Sequence, residues 1–239
     1  MYCPGFAARR RRCILVVMSQ PVVVAIDGPA GAGKSTIARR VAARLGFVYI
    51  DSGAMYRALA LWALREGAGL DDATRLERMA QAVRIEFAPG GSAVFLNGED
   101  VTETIRSPEV SQAASKVSAL AGVRRALVEQ QRRMGATQSV VMEGRDIGSV
   151  VFPDADVKIY LDADPAARVE RRARELEQKG ETVCVEDVAR DLAERDRRDC
   201  TRATAPLVLA PGAVRVDTTR LSVAEVEHVI LKLIEDTLQ

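Results

Sequence analysis

Histidine is almost missing from this chain: His228 is the only one among 239 residues. A mechanism built on a His base, a His triad or a His-ligated metal is thereby nearly excluded. His228 itself falls in a C-terminal stretch of helical pattern and reads as a surface or packing residue. Cysteine is scarce too. Cys3, Cys13, Cys184 and Cys200 lack C-x-x-C spacing and have no histidine nearby. Neither a disulfide framework nor a zinc site is expected, and a reducing cytoplasm is the expected compartment. No apolar run approaches the length of a membrane-spanning helix. Charge of one sign is not in excess, with 34 Lys and Arg against 33 Asp and Glu. Nothing in that balance implies a nucleic-acid or membrane partner.

What is present is core-forming. Hydrophobic residues make up 48% of the chain, enough for one substantial α/β domain with an inserted or mobile subdomain. The organising stretch is Gly28-Pro29-Ala30-Gly31-Ala32-Gly33-Lys34-Ser35, followed by Thr36. It fits G-x-x-x-x-G-K-[S/T], a phosphate-binding loop, and its context is the one the pattern requires. Upstream, Val22–Ile26 is an apolar, β-branched run that predicts a buried strand. Downstream, Ile37, Val41, Ala42 and Leu45 recur at helical spacing from about Lys34. The glycines let backbone N–H groups face phosphate oxygens, and the helix N-terminus adds partial positive charge. Lys34 is placed to reach the β- and γ-phosphates, and the Ser35 hydroxyl to ligate Mg²⁺.

The rest of the chain alternates in the same manner. Strands are predicted at Phe47–Ile50, Ser139–Met142, Val157–Leu161 and Ala213–Val216, which with the first make five. Helices are predicted from Ser52, as N-cap, to about Gly67, and over about Asp71–Ala82, Glu109–Leu120, Gly122–Met134, Val185–Asp199 and Ser222–Thr237. Pro165 opens another. Arg84–Phe87 and Ala93–Leu96, the latter before Asn97-Gly98, break the rhythm as short antiparallel strands of an insert. Residues 1 to about 20 carry Arg9–Arg12 and the run Cys13–Met18, too short for a signal peptide and without a cleavage site. They read as a disordered extension, or one preceding a start at Met18.

A phosphate loop alone fits motors, GTPases, transporter ATPases and small-molecule kinases. No Asn-Lys-x-Asp guanine-reading motif and no Leu-Ser-Gly-Gly-Gln transporter signature occurs. Instead the C-terminal half is dense in arginine. Arg168, Arg171 and Arg172 share one helix face, and Arg195, Arg198, Asp199 and Arg202 share another. A salt-bridged surface would explain both faces; beside a phosphate loop they also suit a mobile lid that clamps polyphosphate. The turn Asp51–Arg57 follows a strand end, where ligands of parallel α/β sheets collect.

From about Pro21 onward the chain resembles the bacterial cytidylate kinases, a branch of the nucleoside monophosphate kinases. The resemblance is carried by Ile26–Thr36, Asp51–Arg57, Glu143–Ala155, Val157–Asp164 and Glu194–Leu207. It implies a P-loop kinase fold: a five-stranded parallel sheet flanked by helices. The core would comprise residues 21–52, 135–164 and 206–239. A monophosphate-binding insert would span about 53–134 and a mobile lid about 165–205. It implies phosphorylation of CMP and dCMP by ATP with Mg²⁺, in a cytoplasmic enzyme expected to be a monomer. Residues matching Ser52, Arg57, Arg145 and Arg202 would hold the acceptor phosphate. Ser115, Arg124 and Asp146 would read the cytosine, while Arg195 and Asp199 would contact the ribose. Arg168, Arg171 and Arg172 would belong to a lid over ATP, and Lys34, Arg145, Arg202, Arg171 and Arg172 would neutralise charge during transfer. Ser35-Thr36 stands where some relatives have Gly-Thr, which leaves open which hydroxyl holds the metal. The alternatives are a kinase for UMP or AMP, and a nucleotide-dependent switch or RNA-associated protein using the Arg9–Arg12 tail. A switch has no need of the substrate-side arginines, and a kinase has no need of the tail.

Overall fold

The computed structural model describes residues 20–178 and 180–238. The Arg9–Arg12 tail, the Cys13–Met18 run, Cys3 and Lys179 lie outside them. Five strands form one sheet: β1 (Val23–Asp27), β2 (Val48–Asp51), β6 (Val140–Gly144), β7 (Val157–Asp162) and β8 (Val214–Asp217). Their order is β2-β6-β1-β7-β8, and every pairing is parallel. The expected five-stranded parallel sheet is therefore present.

Parallel strands need both faces covered, and alternate side chains here enter different cores. Val24 and Ile26 of β1 and Val141 of β6 pack with Ile37, Ala38 and Val41 of helix α1 (Lys34–Leu45) and Ile230 and Ile234 of α8 (Val223–Leu238). Ala25, Val140 and Met142 face the other way, onto Ile50, Val128, Ile147 and Val151. The arginines of α1 stay out: Arg40 and Arg44 meet the buried carboxylate of Glu227 on α8, which fastens the two helices to each other.

Four helices, α2 (Ser52–Arg65), α3 (Ala73–Ala82), α4 (Pro108–Val117) and α5 (Ala121–Ala136), close a separate apolar core with the small sheet β3 (Ile85–Phe87), β4 (Val94–Leu96) and β5 (Glu99–Asp100). The antiparallel hairpin expected here is present, and it carries a third strand. Asn97 and Gly98 have φ of 51° and 89°, the two positive values a tight hairpin turn needs, so the chain folds straight back into β5. The remaining helices, α6 (Pro165–Gln178) and α7 (Val185–Thr201), pack together, and Val188 and Leu192 join Ala30 of the phosphate loop in a small apolar cluster.

Each sheet strand runs past its apolar stretch to an acidic or glycine residue: Asp27, Asp51, Gly144, Asp162 and Asp217. The ladder continues to the carboxyl edge because backbone pairing does not depend on side-chain polarity, whereas the apolar run marks only the covered part. Ser52 is not the N-cap of α2. That place belongs to Asp51, whose carboxylate accepts from the Ala54 amide at 2.9 Å. Ser52 turns inward and donates to the Glu143 carbonyl at 2.7 Å.

Candidate active site

The carboxyl edge of the sheet opens into a cleft of about 810 Å³ bounded by α1, α2, α4, α6, α7 and the loop before α8. Its floor is the loop Gly28–Ser35. Gly28 has φ +146°, and a Cβ there would stand 2.0 Å from the Leu161 carbonyl oxygen of β7, so the loop leaves the sheet through a position only glycine can occupy. Gly33, at φ 87° and ψ 11°, turns the chain into α1 and serves as its N-cap without a side chain. The first α1 amides therefore face the cleft uncapped by protein, in the arrangement that binds anions at helix N-termini.

Lys34 is buried, 6% exposed, with Nζ donating to the Pro29 carbonyl at 2.7 Å. Burial, then the charge of Arg145, pulls its pKa down to about 7, although Glu143 acts in the opposite sense. Ser35 and Thr36 stand exposed on the cleft wall. Opposite them the strand ends bring two carboxylates side by side, since Asp51 of β2 pairs in register with Glu143 of β6. Burial would raise the Asp51 carboxyl, but Arg57, bonded to it at 2.7 Å, and the Ala54 amide hold it below its ordinary value. Glu143 goes the other way: burial and the neighbouring Asp51 charge raise it, while Tyr49 donates to it from below.

Another wall of the cleft is built on the short arch between β6 and a π-helical turn at Ile147–Val151. Arg145 on that arch donates through Nε to Asp199 of α7 at 2.8 Å. Burial works against the Asp199 charge, but Arg145 and Arg195 prevail and lower its pKa. Asp146 pairs with Arg124 of α5 and lies 3.4 Å from Arg202. Arg195 also lines the cleft, with no ion-pair partner among the described residues; burial, then Arg145, lowers its pKa to about 10. Ser115 of α4 points a buried hydroxyl at the same space, without a hydrogen-bond partner among the described residues.

Arg171 and Arg172 of α6 reach the cleft from the far side. Arg171 donates to the Thr218 hydroxyl at 2.9 Å, and Arg172 is bonded to Glu175 at 2.8 Å. Arg168, expected with them over the nucleotide, does not face the cleft. It is buried, and its guanidinium donates to the carbonyls of Ala30 at 3.1 Å and Ala163 at 3.2 Å and to Asp196 at 2.5 Å. Arg168 stands one helical turn before Arg171 and Arg172, which places it against Gly31, so it supports the phosphate loop from outside.

The structure thus gathers Ala30–Thr36, Ser52, Arg57, Ser115, Arg124, Arg145, Asp146, Arg171, Arg172, Arg195, Asp199 and Arg202 around one cleft, while Gly28, Pro29 and Arg168 lie behind its surface. It adds groups the sequence did not single out: Glu143, Tyr56, Arg106 and Arg174. Glu143 had a readable signal as a strand-end carboxylate; the other three are distinguished only by the fold. Among the described residues no group of three or more His, Cys, Asp or Glu could hold a metal ion, and no helix is long and apolar enough to cross a membrane. Cys184 and Cys200 are free and exposed. A resident metal centre of protein ligands alone does not fit this cleft. A divalent cation carried by phosphates fits, with Ser35 offering the hydroxyl and Asp51 and Glu143 the nearby negative charge.

The family model for cytidylate kinase matches residues 24–236. A cytidylate kinase of Solibacter usitatus is 60% identical over 89% of this chain and 92% of its own length. One from Pelotomaculum thermopropionicum is 51% identical over 87% and 93%, and one from Carboxydothermus hydrogenoformans is 48% identical over 89% and 95%.

Proposed function

The chain belongs to the cytidylate kinase family, and from that premise we propose that it transfers the terminal phosphoryl group of ATP to CMP and dCMP, giving ADP and CDP or dCDP. The observation that carries this reading is the division of the cleft. One side is the phosphate loop with Lys34, the other a set of arginines around a buried carboxylate–guanidinium pair.

The acceptor oxygen belongs to a phosphate whose second ionisation lies near pH 6, so it arrives already charged and needs no base. That agrees with a site that contains no histidine. Catalysis is then positioning and charge neutralisation. The amides of the loop hold the donor phosphates and Lys34 reaches between them. Ser35 would hold a Mg²⁺ ion carried by the phosphates, and the ion would supply further charge neutralisation. Arg57, Arg145 and Arg202 grip the acceptor phosphate, Arg195 and Asp199 the ribose, and Arg171 and Arg172 close over the donor. Arg57 and Arg145 are already held by Asp51 and Asp199, so little rotamer freedom is lost when an anion arrives. Arg168 acts by holding the loop from outside.

Base reading falls to Asp146, Arg124 and Ser115. Cytosine offers an exocyclic amine to the carboxylate and two acceptors, N3 and O2, to guanidinium or hydroxyl donors. A coupled ADP-release assay with CMP, dCMP, UMP and AMP in turn tests the proposal. Turnover with CMP and dCMP well above the other two is expected, and preference for UMP or AMP would overturn it.

A further inference from the structure

Asp27 is the last residue of β1 and the residue immediately before the phosphate loop. It is 3% exposed, and the groups bonded to its side chain among the described residues are two backbone amides. Its two oxygens accept from the amides of Ile147 and Gly148, each at 2.8 Å. Those amides open the π-helical turn that follows Arg145 and Asp146, and the first amides of a helical turn have no partner inside it. Within the turn, Val150 and Val151 both donate back to the Asp146 carbonyl, at 2.9 and 3.1 Å. The backbone at Asp146, with φ −149° and ψ 25°, belongs to neither helix nor strand.

Register makes this more than a cap. Asp27 pairs across the sheet with Gly144. One end of the arch is thus tied to Asp27 by the backbone ladder, and the other end, at 147–148, is tied to its side chain. Arg145 and Asp146 lie between, and they carry the bonds to Asp199, Arg124 and Arg202. On its other side Asp27 continues into Gly28, locked against β7. Burial of this carboxylate is costly: it pushes the pKa up to about 6 even though both amide bonds pull it down.

We propose that Asp27 is a positioning residue, a strut that fixes the Arg145–Asp146 arch to the root of the phosphate loop, so that donor and acceptor groups share one frame. The proposal rests on the reading of Arg145 and Asp146 as acceptor-side residues.

Asp27→Asn tests it, since the amide keeps the shape but sets an NH₂ group against one of the two N–H donors. The folded variant is expected to lose about tenfold or more in kcat, to raise the KM for CMP, and to narrow the CMP-over-UMP ratio of kcat/KM by about fivefold or more. Its affinity for ATP alone, measured by equilibrium binding, stays within about twofold, because the loop's own glycine geometry is intact. A residue that only stabilises the fold would lower Tm and leave kcat, KM and the ratio unchanged well below that temperature, and this result overturns the strut. Should the variant not fold, amide exchange in the nucleotide-free wild type decides. Protection of the Ile147 and Gly148 amides, by about a hundredfold or more over free-chain rates, is expected for buried bonded amides. Free-chain exchange at both overturns the proposal with no variant needed. A wild type that does not prefer CMP to UMP removes the acceptor-side reading beneath it; a preference kept intact in Asp27→Asn removes the strut alone.

Discussion

Arg124 and Asp146 form an ion pair sealed from solvent, with 3% and 7% of their side chains exposed. They come from elements far apart in the chain, α5 of the inserted helices and the arch after β6. Arg202, at the end of α7, approaches the same carboxylate at 3.4 Å. A charge pair taken out of water in this way contributes little net stability and is costly to break. Its value lies in presenting an acceptor and a donor of fixed geometry to whatever enters the cleft.

The proposed base selectivity rests on that pair. Against uracil the carboxylate would face a carbonyl and the guanidinium an N–H, leaving buried polar groups unpaired, and such a site can reject by up to about 10⁴. Asp146→Ala would strand two buried guanidinium groups and confound selectivity with folding. Asp146→Asn keeps the volume. It is expected to lower kcat/KM for CMP at least about tenfold more than for UMP, because the amide can turn a donor toward uracil O4. Equal losses for both substrates, in steady-state assays, would assign Asp146 to the fold or to the phosphate grip.

The α1–α8 contact gives a stability prediction clear of the cleft. Glu227 is buried while Arg40 and Arg44 are half exposed, 49% and 62% by side chain. Burial alone would raise its pKa, but the bonds from Arg40 and Arg44 lower it. A carboxyl lowered on folding contributes stability above its unfolded value of 4.5, and that contribution is lost as pH falls through the folded value. Glu227→Gln should therefore lower Tm by about 2–4 °C at pH 7, on the order of 1 kcal/mol, with no change in kcat. Thermal melts at pH 7 and pH 3 check the sign: the gap should close at the lower pH, and a gap that widens there would contradict it.

The sheet was legible because β-branched runs at Val22–Ile26 and Val157–Leu161 are long enough to mark covered parallel strands. The phosphate loop was legible because its glycines have a local steric reason that the sequence displays. Three things escaped. Strand ends ran on into Asp27, Asp51 and Asp162, since a backbone ladder continues where hydrophobicity stops. Strand β5, only Glu99–Asp100, has no apolar signal at all and exists because of the turn before it. Arg168 shares a helical face with Arg171 in projection, yet a single face is wide enough to have one edge buried under the loop and the other in the cleft. The Arg124–Asp146 pair is the clearest case of a contact that no pattern displays: no spacing rule connects the two positions, and only the family resemblance set them in one proposed site.

Deleting residues 1–17 should leave kcat/KM for CMP and ATP unchanged within about twofold, because the segment lies outside every sequence motif of the site. Among the described residues, none lining the cleft precedes Ala30. The Arg9–Arg12 run is then expected to be dispensable for chemistry. Steady-state kinetics on the shortened chain check this, and a loss of about tenfold or more would give that segment a part in the site.

Proton uptake on nucleotide binding is the sharpest consequence of the buried lysine. Burial first, then Arg145, brings Lys34 to about 7 in the nucleotide-free protein, so at pH 8 most of it is neutral. A polyphosphate placed against its Nζ favours the charged form and returns the pKa upward. At pH 8 the polyphosphate is itself fully ionised, so binding ATP should take up about one proton through Lys34. Calorimetric titrations in two buffers of different ionisation enthalpy measure the number directly, and identical apparent enthalpies would rule out the mechanism. Lys34→Met should abolish the uptake and lower kcat by about 10³ or more, since the charge acts on the developing transition state. It should not destabilise the nucleotide-free fold. Folding lowers this lysine from 10.5, so its contribution to stability grows only as pH rises from about 7 toward 10.5, and below that window the charged group is a burden. A Tm for Lys34→Met equal to or above the wild type at pH 7, together with the loss of turnover, would separate its catalytic role from any structural one.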